Sequence, residues 1–183
     1  MRIIRGKYRA KRILAPKNLP VRPTTDMAKE ALFSILEHHF NLDEIRFLDL
    51  FSGTGNISYE MASRSDASIT AVDSEKVCID FIKKIAEELK FSHIEWVRSD
   101  ALLYLQKAFK TWDIIFADPP YDYKYYEHII EEIFDRKLLD KQGMLIMEHG
   151  AEQNFEIHPH FVFLRRYGSV HFSFFETETT EDV

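Results

Sequence analysis

Polar and apolar positions alternate along this chain in a regular order. From Thr25, the apolar residues Met27, Ala28, Ala31, Leu32, Ile35 and Leu36 recur at helical spacing, with Thr25 or Asp26 placed to cap the helix. "RFLDLF" reads as a strand, followed by a glycine-containing turn and a helix from about Asn56 to Arg64. "SITAVD" is a second strand, and the helix after it presents Val77, Phe81, Ile82, Ile85 and Leu89 on one face. "IEWVRSD" is a third strand leading into the helical "ALLYLQKAF", and "WDIIFADPPY" is a fourth, followed by the helical "YYEHIIEEIF". "GMLIMEHG" is a fifth strand. The runs "FVFLRRYG" and "SVHFSFFE" meet at Gly168-Ser169 as an antiparallel hairpin.

Strands alternating with helices predict an α/β fold with a mainly parallel sheet covered on both faces. The ends of the chain differ from this pattern. Ile3, Ile4, Tyr8, Ile13 and Leu14 mix with bases around Gly6, which predicts a small β-hairpin, and "APKNLPVRP" follows as a connector without regular structure. Residues 1–22 are therefore expected to form a basic arm and connector, 23–176 the main domain, and 177–183 a disordered acidic tail.

In open sheets of this kind, ligands bind beyond the carboxyl ends of the strands. Those ends here are Asp49 to Gly55, Asp73, Asp100 and Asp118 to Tyr121, an acid at each.

Composition narrows the setting. At 45% hydrophobic and 30% charged, the 183 residues suit one globular domain. No apolar run approaches a membrane span, and the first residues lack a signal-like apolar core. The single cysteine, Cys78, suits a reducing cytoplasm. Eight scattered histidines give no metal-ligand pattern, His158 and His160 around a proline included.

The net charge of −6 is unevenly spread. Residues 1–22 hold eight of the 24 bases and none of the 30 acids: Arg2, Arg5, Lys7, Arg9, Lys11, Arg12, Lys17 and Arg22. A basic arm on an acidic body is a footprint for phosphate, although a solvated arm would look similar.

Gly53 and Gly55 follow the first strand, where glycine allows backbone to approach a ligand closely. The dinucleotide fingerprint would need a further glycine where Ser58 stands, so a nicotinamide is not indicated. Asp73, twenty residues beyond Gly53, could accept from both ribose hydroxyls, or cap the helix opening at "DSEKV". Asp100 could accept from an adenine amine or serve as an N-cap.

"DPPY", residues 118–121, carries the sharpest chemistry. An exocyclic amine on a nucleobase is a poor nucleophile, because its lone pair is delocalised into the ring. Two acceptors gripping its N–H bonds pull the nitrogen toward tetrahedral geometry. Asp118 offers a carboxylate and Pro119 a main-chain carbonyl, held outward by the fixed φ of the two prolines Pro119 and Pro120. Tyr121 offers a face for the base to stack on. The plainer alternative is a turn with a capping acid.

"DPPY" with "DLFSGTG" resembles class I S-adenosylmethionine-dependent amino-methyltransferases. Together with "MRIIRGKYRAKRI", "VRPTTDMAKEALFSIL" and "DIIFADPPYDY", it is similar to the bacterial 16S rRNA (guanine-N2)-methyltransferase D family, from Met1 to about Glu176. The resemblance implies a Rossmann-like methyltransferase fold: a seven-stranded sheet with a C-terminal antiparallel hairpin and a basic N-terminal hairpin. It implies methyl transfer from S-adenosylmethionine to N2 of a 16S rRNA guanine, position 966, in an assembling 30S subunit.

By resemblance, Asp49, Ser52, Gly53, Gly55, Asp73, Asp100 and Ala101 bind cofactor, and Asp118, Pro119, Pro120 and Tyr121 are catalytic. Arg2, Arg5, Lys7, Arg9, Lys11, Arg12 and Arg22 bind RNA, and Arg22, Pro23 and Thr24 lie near the site entrance. Two departures stand out. The family's second helix offers Asn before Leu where this chain reads "FIKKIAEEL", and its second strand ends in Glu rather than Asp73. A monomeric cytoplasmic enzyme is expected. The rival readings are an amino-methyltransferase acting on DNA adenine or cytosine or on protein glutamine, and a non-catalytic RNA-binding assembly factor.

Overall fold

Strand alternation sends Phe47 of β1 (Arg46–Leu50) to one face of the sheet and Leu48 to the other, and two separate apolar layers result. The computed structural model describes residues 1–16 and 24–177. Expectations placed on Lys17, Arg22, Pro23 and residues 178–183 lie outside the described residues.

The remaining strands are β2 (Ser68–Asp73), β3 (Ile94–Arg98), β4 (Trp112–Ala117), β5 (Leu139–His149), β6 (Phe161–Tyr167) and β7 (Val170–Glu176). The helices are α1 (Asp26–His39), α2 (Asn56–Arg64), α3 (Lys76–Glu88), α4 (Ala101–Lys107) and α5 (Tyr126–Asp135). One seven-stranded sheet runs in the order β3-β2-β1-β4-β5-β7-β6. β1 to β5 pair in parallel, and β7 pairs antiparallel with both β5 and β6. Strand order reverses on either side of β1, so the crevice of the fold opens over the ends of β1 and β4. Among the described residues, no helix is long and apolar enough to cross a membrane.

Leu32, Leu36, Phe47, Ile82, Phe116 and Phe174 belong to one layer, under α1 to α3. Leu48, Leu105, Ile115, Ile129, Ile133 and Leu145 belong to the other, under α4 and α5. The expected faces of α1 and α3 hold in part, and Phe33 on α1 and Ile79 and Ala86 on α3 are buried beside them. Met27 and Val77 are exposed, while Lys29 and Cys78 are buried. β5 begins four residues before Gly143, where the expected fifth strand starts, because Leu139 pairs with Trp112 ahead of a register shift.

The N-terminal hairpin is a chain reversal rather than a pair of strands. One antiparallel bridge joins Arg2 and Arg12, and Ile3 N donates to Lys11 O at 3.0 Å. The turn uses positive φ at Gly6 and Ala10. It is pressed onto α2, since an added Cβ at Gly6 would lie 1.8 Å from the Ser63 carbonyl oxygen. Ile3 and Ile13 enter the first apolar layer, so the arm is packed into the main body.

Candidate active site

The turn after β1 folds back on itself through left-handed residues at Phe51, Gly53 and Gly55. Ser52 N donates to Val72 O at 2.9 Å, and Gly55 N to Ser52 O at 2.7 Å. Gly53 N donates to Asp73 Oδ2 at 2.8 Å, tying the ends of β1 and β2 together. The other oxygen, Oδ1, accepts from Glu75 N at 2.8 Å. Asp73 therefore fixes both the glycine turn and the lead-in to α3, although Glu75 rather than Asp73 is the residue preceding that helix.

A cavity of about 640 Å³ lies over this turn, within the roughly 300–1,000 Å³ of small-molecule sites. It is lined by Asp49, Ser52, Gly53, Asp73, Asp100 and Ala101, and also by Asp118, Pro119, Pro120 and Tyr121. The acid-proline-proline-tyrosine corner and the glycine turn share one cleft. Gly55 is not among the lining residues; it stands behind the turn at the start of α2, its Cα against the Tyr59 ring. Asp100 caps α4, its Oδ1 accepting from Leu103 N at 3.0 Å, and it also lines the cavity.

At the corner, the Pro120 carbonyl is taken by Tyr123 N at 2.8 Å and the Tyr126 hydroxyl at 3.4 Å. The Pro119 carbonyl accepts no hydrogen bond among the described residues, although Pro119 is buried. Pro119 lines the cavity. Tyr121 is 52% exposed at the rim.

The acids shift one another. Burial pushes the Asp118 carboxyl well above its ordinary range, and the charges of Glu148 and Asp49 push it further. Asp49 is raised to about 7 by burial, against a 2.5 Å hydrogen bond from Ser58. Asp73 is also raised by burial, opposed by the Glu75 and Gly53 N–H groups. So many carboxylates around one cavity favour a cation within it. Cys78 lines the cavity too, but burial pushes its thiol up to about 12, which leaves it protonated and a weak nucleophile.

A family model described as "Conserved hypothetical protein 95" matches residues 1–176. A ribosomal RNA small subunit methyltransferase D of Buchnera aphidicola (Baizongia pistaciae) is 31% identical over 87% of this chain and 81% of its own length. The chain belongs to this methyltransferase D family. The Escherichia coli K12 protein of the same name is 28% identical over 83% of this chain and 76% of its own. Among solved structures, E. coli yhhF superposes with a TM-score of 0.86 at 26% identity, covering 97% of this chain and 98% of that one. A hypothetical protein of Thermus thermophilus shares the fold at TM-score 0.85 and 22% identity, over 97% and 99%. The fold is thus that of the class I methyltransferases.

Family membership sharpens what the geometry adds. Thr24, the described end of the R-P-T segment, lines the cavity. Sequence reasoning missed Asn56 and Glu75 in the lining, and Glu148 behind it. Glu148 had a signal, because it stands next to last in β5, close to a strand end like the other acids. The arm divides. Arg2 pairs with Asp26 at 2.8 Å, Arg5 with Glu30 at 3.0 Å and Lys11 with Glu88 at 3.3 Å. Lys7, Arg9 and Arg12 are exposed and make no ion pair among the described residues.

Proposed function

We propose that this protein transfers a methyl group from S-adenosylmethionine to the exocyclic N2 of a guanine in 16S rRNA, position 966, in an assembling 30S subunit. It acts as a monomer in the cytoplasm. The observation that carries the reading is the single cavity shared by Gly53, Asp73, Asp118 and Pro119.

The cavity's chemistry fits the cofactor: buried carboxylates suit a sulfonium cation, and the glycine turn and Asp73 suit a ribose. When bound, the cofactor supplies an electrophilic methyl carbon. Asp73 and the Gly53 turn hold the ribose end, and Asp100 and Ala101 stand at the adenine end. Asp118 and the Pro119 carbonyl accept the two N–H bonds of the amine, freeing its lone pair to face the donor. Tyr121 stacks on the ring. The raised proton affinity of Asp118 suits it to take the proton that nitrogen sheds.

Lys7, Arg9 and Arg12 hold RNA phosphate, since their charges are not spent on the body. Arg2, Arg5 and Lys11 contribute less directly, because each already faces a carboxylate.

The test is mass-spectrometric mapping of rRNA from cells with and without this protein, with methyl transfer assayed on immature 30S particles, naked RNA, DNA and protein. Loss of one N2-methylguanine and activity on the particles is expected. Transfer to DNA or protein alone would overturn the RNA assignment, and absence of cofactor binding would favour an assembly factor.

A further inference from the structure

The ammonium of Lys29 is wholly buried in α1, on a helix face where the neighbouring core positions are apolar. Its three N–H bonds have three acceptors. Nζ donates to Arg2 O at 2.7 Å and to Asn56 Oδ1 at 2.8 Å, and lies 3.2 Å from Glu60 Oε2. Glu60, equally buried, accepts from Ile4 N at 2.8 Å, Arg5 N at 3.0 Å and Arg64 Nε at 2.8 Å. Every partner on the arm side is backbone, so this pair reads the arm's position rather than its side chains.

The other branch reaches the active site. Asn56 lines the cavity and donates from Nδ2 to Thr24 O at 3.4 Å. Thr24 lines it too, and its hydroxyl donates to Glu148 Oε2 at 2.9 Å. Glu148 in turn acts electrostatically on Asp118. A hydrogen-bonded chain thus runs from the arm backbone through Lys29, Asn56 and Thr24 to Glu148.

We propose that Lys29 is a positioning residue that ties the N-terminal arm to the Asn56–Thr24 wall of the cavity, so that RNA seated on the arm fixes that wall for methyl transfer. This rests on the methyltransferase reading above. Stability alone is a weak reason for an ammonium here, because apolar replacement of a buried ion pair is often neutral or stabilising. What Lys29 supplies, and an apolar residue cannot, is three directed bonds linking arm, α2 and cavity. Lys29 touches neither substrate nor cofactor; it acts through Asn56 and Thr24.

The experiment is single-turnover methyl transfer to immature 30S particles at saturating protein, comparing wild type, Lys29→Met and Lys29→Gln. For Lys29→Met, the rate constant is expected to fall about tenfold while cofactor affinity stays within about twofold. A merely structural role would lower the reacting fraction and the melting temperature but leave the rate constant of folded molecules unchanged. Lys29→Gln keeps a donor toward Arg2 O or Asn56 Oδ1 and should recover part of the rate. A wild-type rate constant in Lys29→Met overturns the proposal. If that variant does not fold, a wild-type rate constant in Asn56→Ala, which cuts the link from Lys29 to Thr24, overturns it equally. A wild-type protein inert on particles, RNA, DNA and protein alike defeats the underlying methyltransferase reading first, and is thereby distinguished.

Discussion

Gly53 and Asp73 are joined by a 2.8 Å hydrogen bond from backbone N–H to carboxylate, and the ends of β1 and β2 are held together by it. Asp73 also lines the cavity, so one side chain shapes the glycine turn and, in the proposed reading, holds the cofactor ribose. Asp73→Ala removes both functions. Loss of charge-assisted hydrogen bonds costs about 1.5–3 kcal/mol, roughly ten- to a hundredfold in affinity. Calorimetric titration with S-adenosylmethionine should show that weakening; unchanged affinity would remove Asp73 from the cofactor site.

Asp118 lines the same cleft at the end of β4, and its substitution should leave cofactor affinity nearly unaltered. Asp118→Ala is expected to slow methyl transfer at least ten- to a hundredfold, from loss of about 1.5–3 kcal/mol of transition-state stabilisation. Because burial and the Glu148 and Asp49 charges raise its pKa, Asp118 loses its acceptor form as pH falls at a higher pH than an ordinary carboxylate does. The wild-type rate should therefore rise with pH along a limb displaced above the usual carboxylate range. Asp118→Asn should lose that limb. A pH–rate profile of the variant that keeps it would assign the titration to another group.

Much of this arrangement was legible from local pattern. Strand ends and turn glycines are short-range features, and β2 and α2 fall where the spacing puts them. What pattern could not convey were choices made by tertiary contacts. Lys29 is buried because Glu60, far along the chain, supplies its counter-charge, whereas Met27 on the same helix finds no such cover. The arm looked like eight unspent bases because its acids, Asp26, Glu30 and Glu88, belong to helices that only the fold brings near. Cys78 replaces Val77 on the buried face by one step of helix phase, and that step carries it to the cavity wall.

Asp49 gives a stability prediction with a definite sign. Its folded pKa is raised to about 7, so folding favours its protonated form. The stabilising contribution of that protonated acid is full below the unfolded value and is lost as pH rises through about 7. The difference corresponds to about 4 kcal/mol. Asp49→Asn keeps an acceptor for the Ser58 hydroxyl without the buried charge. Urea unfolding should find Asn gaining on wild type between about pH 4 and pH 8, with little gain near the lower end. A pH-independent difference would show that Asp49 titrates normally.

Gly6 combines a φ of +80° with contact against the Ser63 carbonyl. Gly6→Ala needs both a strained backbone and a displaced arm, at a cost of about 1–3 kcal/mol for the backbone alone. Thermal denaturation should register the loss. Unchanged stability would mean that the arm can move off α2 at no cost.

The division of the arm predicts two different salt responses. Lys7, Arg9 and Arg12 are unpaired among the described residues, so counterions released on their meeting phosphate come from the RNA side. Replacing all three by Ala should reduce the salt slope of RNA binding by about 2–3, since each phosphate contact contributes about 0.7–0.9. Arg2 and Arg5 must exchange a protein carboxylate for a phosphate to contribute, and at 50% and 55% side-chain exposure their ion pairs are only weakly held. Replacing these two should change the slope by less than about 1 and leave Asp26 and Glu30 uncovered beside the RNA path, which weakens binding through repulsion rather than through lost contacts. Filter binding across a salt series separates the two. Equal slopes for both sets would show that docking onto α1 does not decide which bases meet RNA.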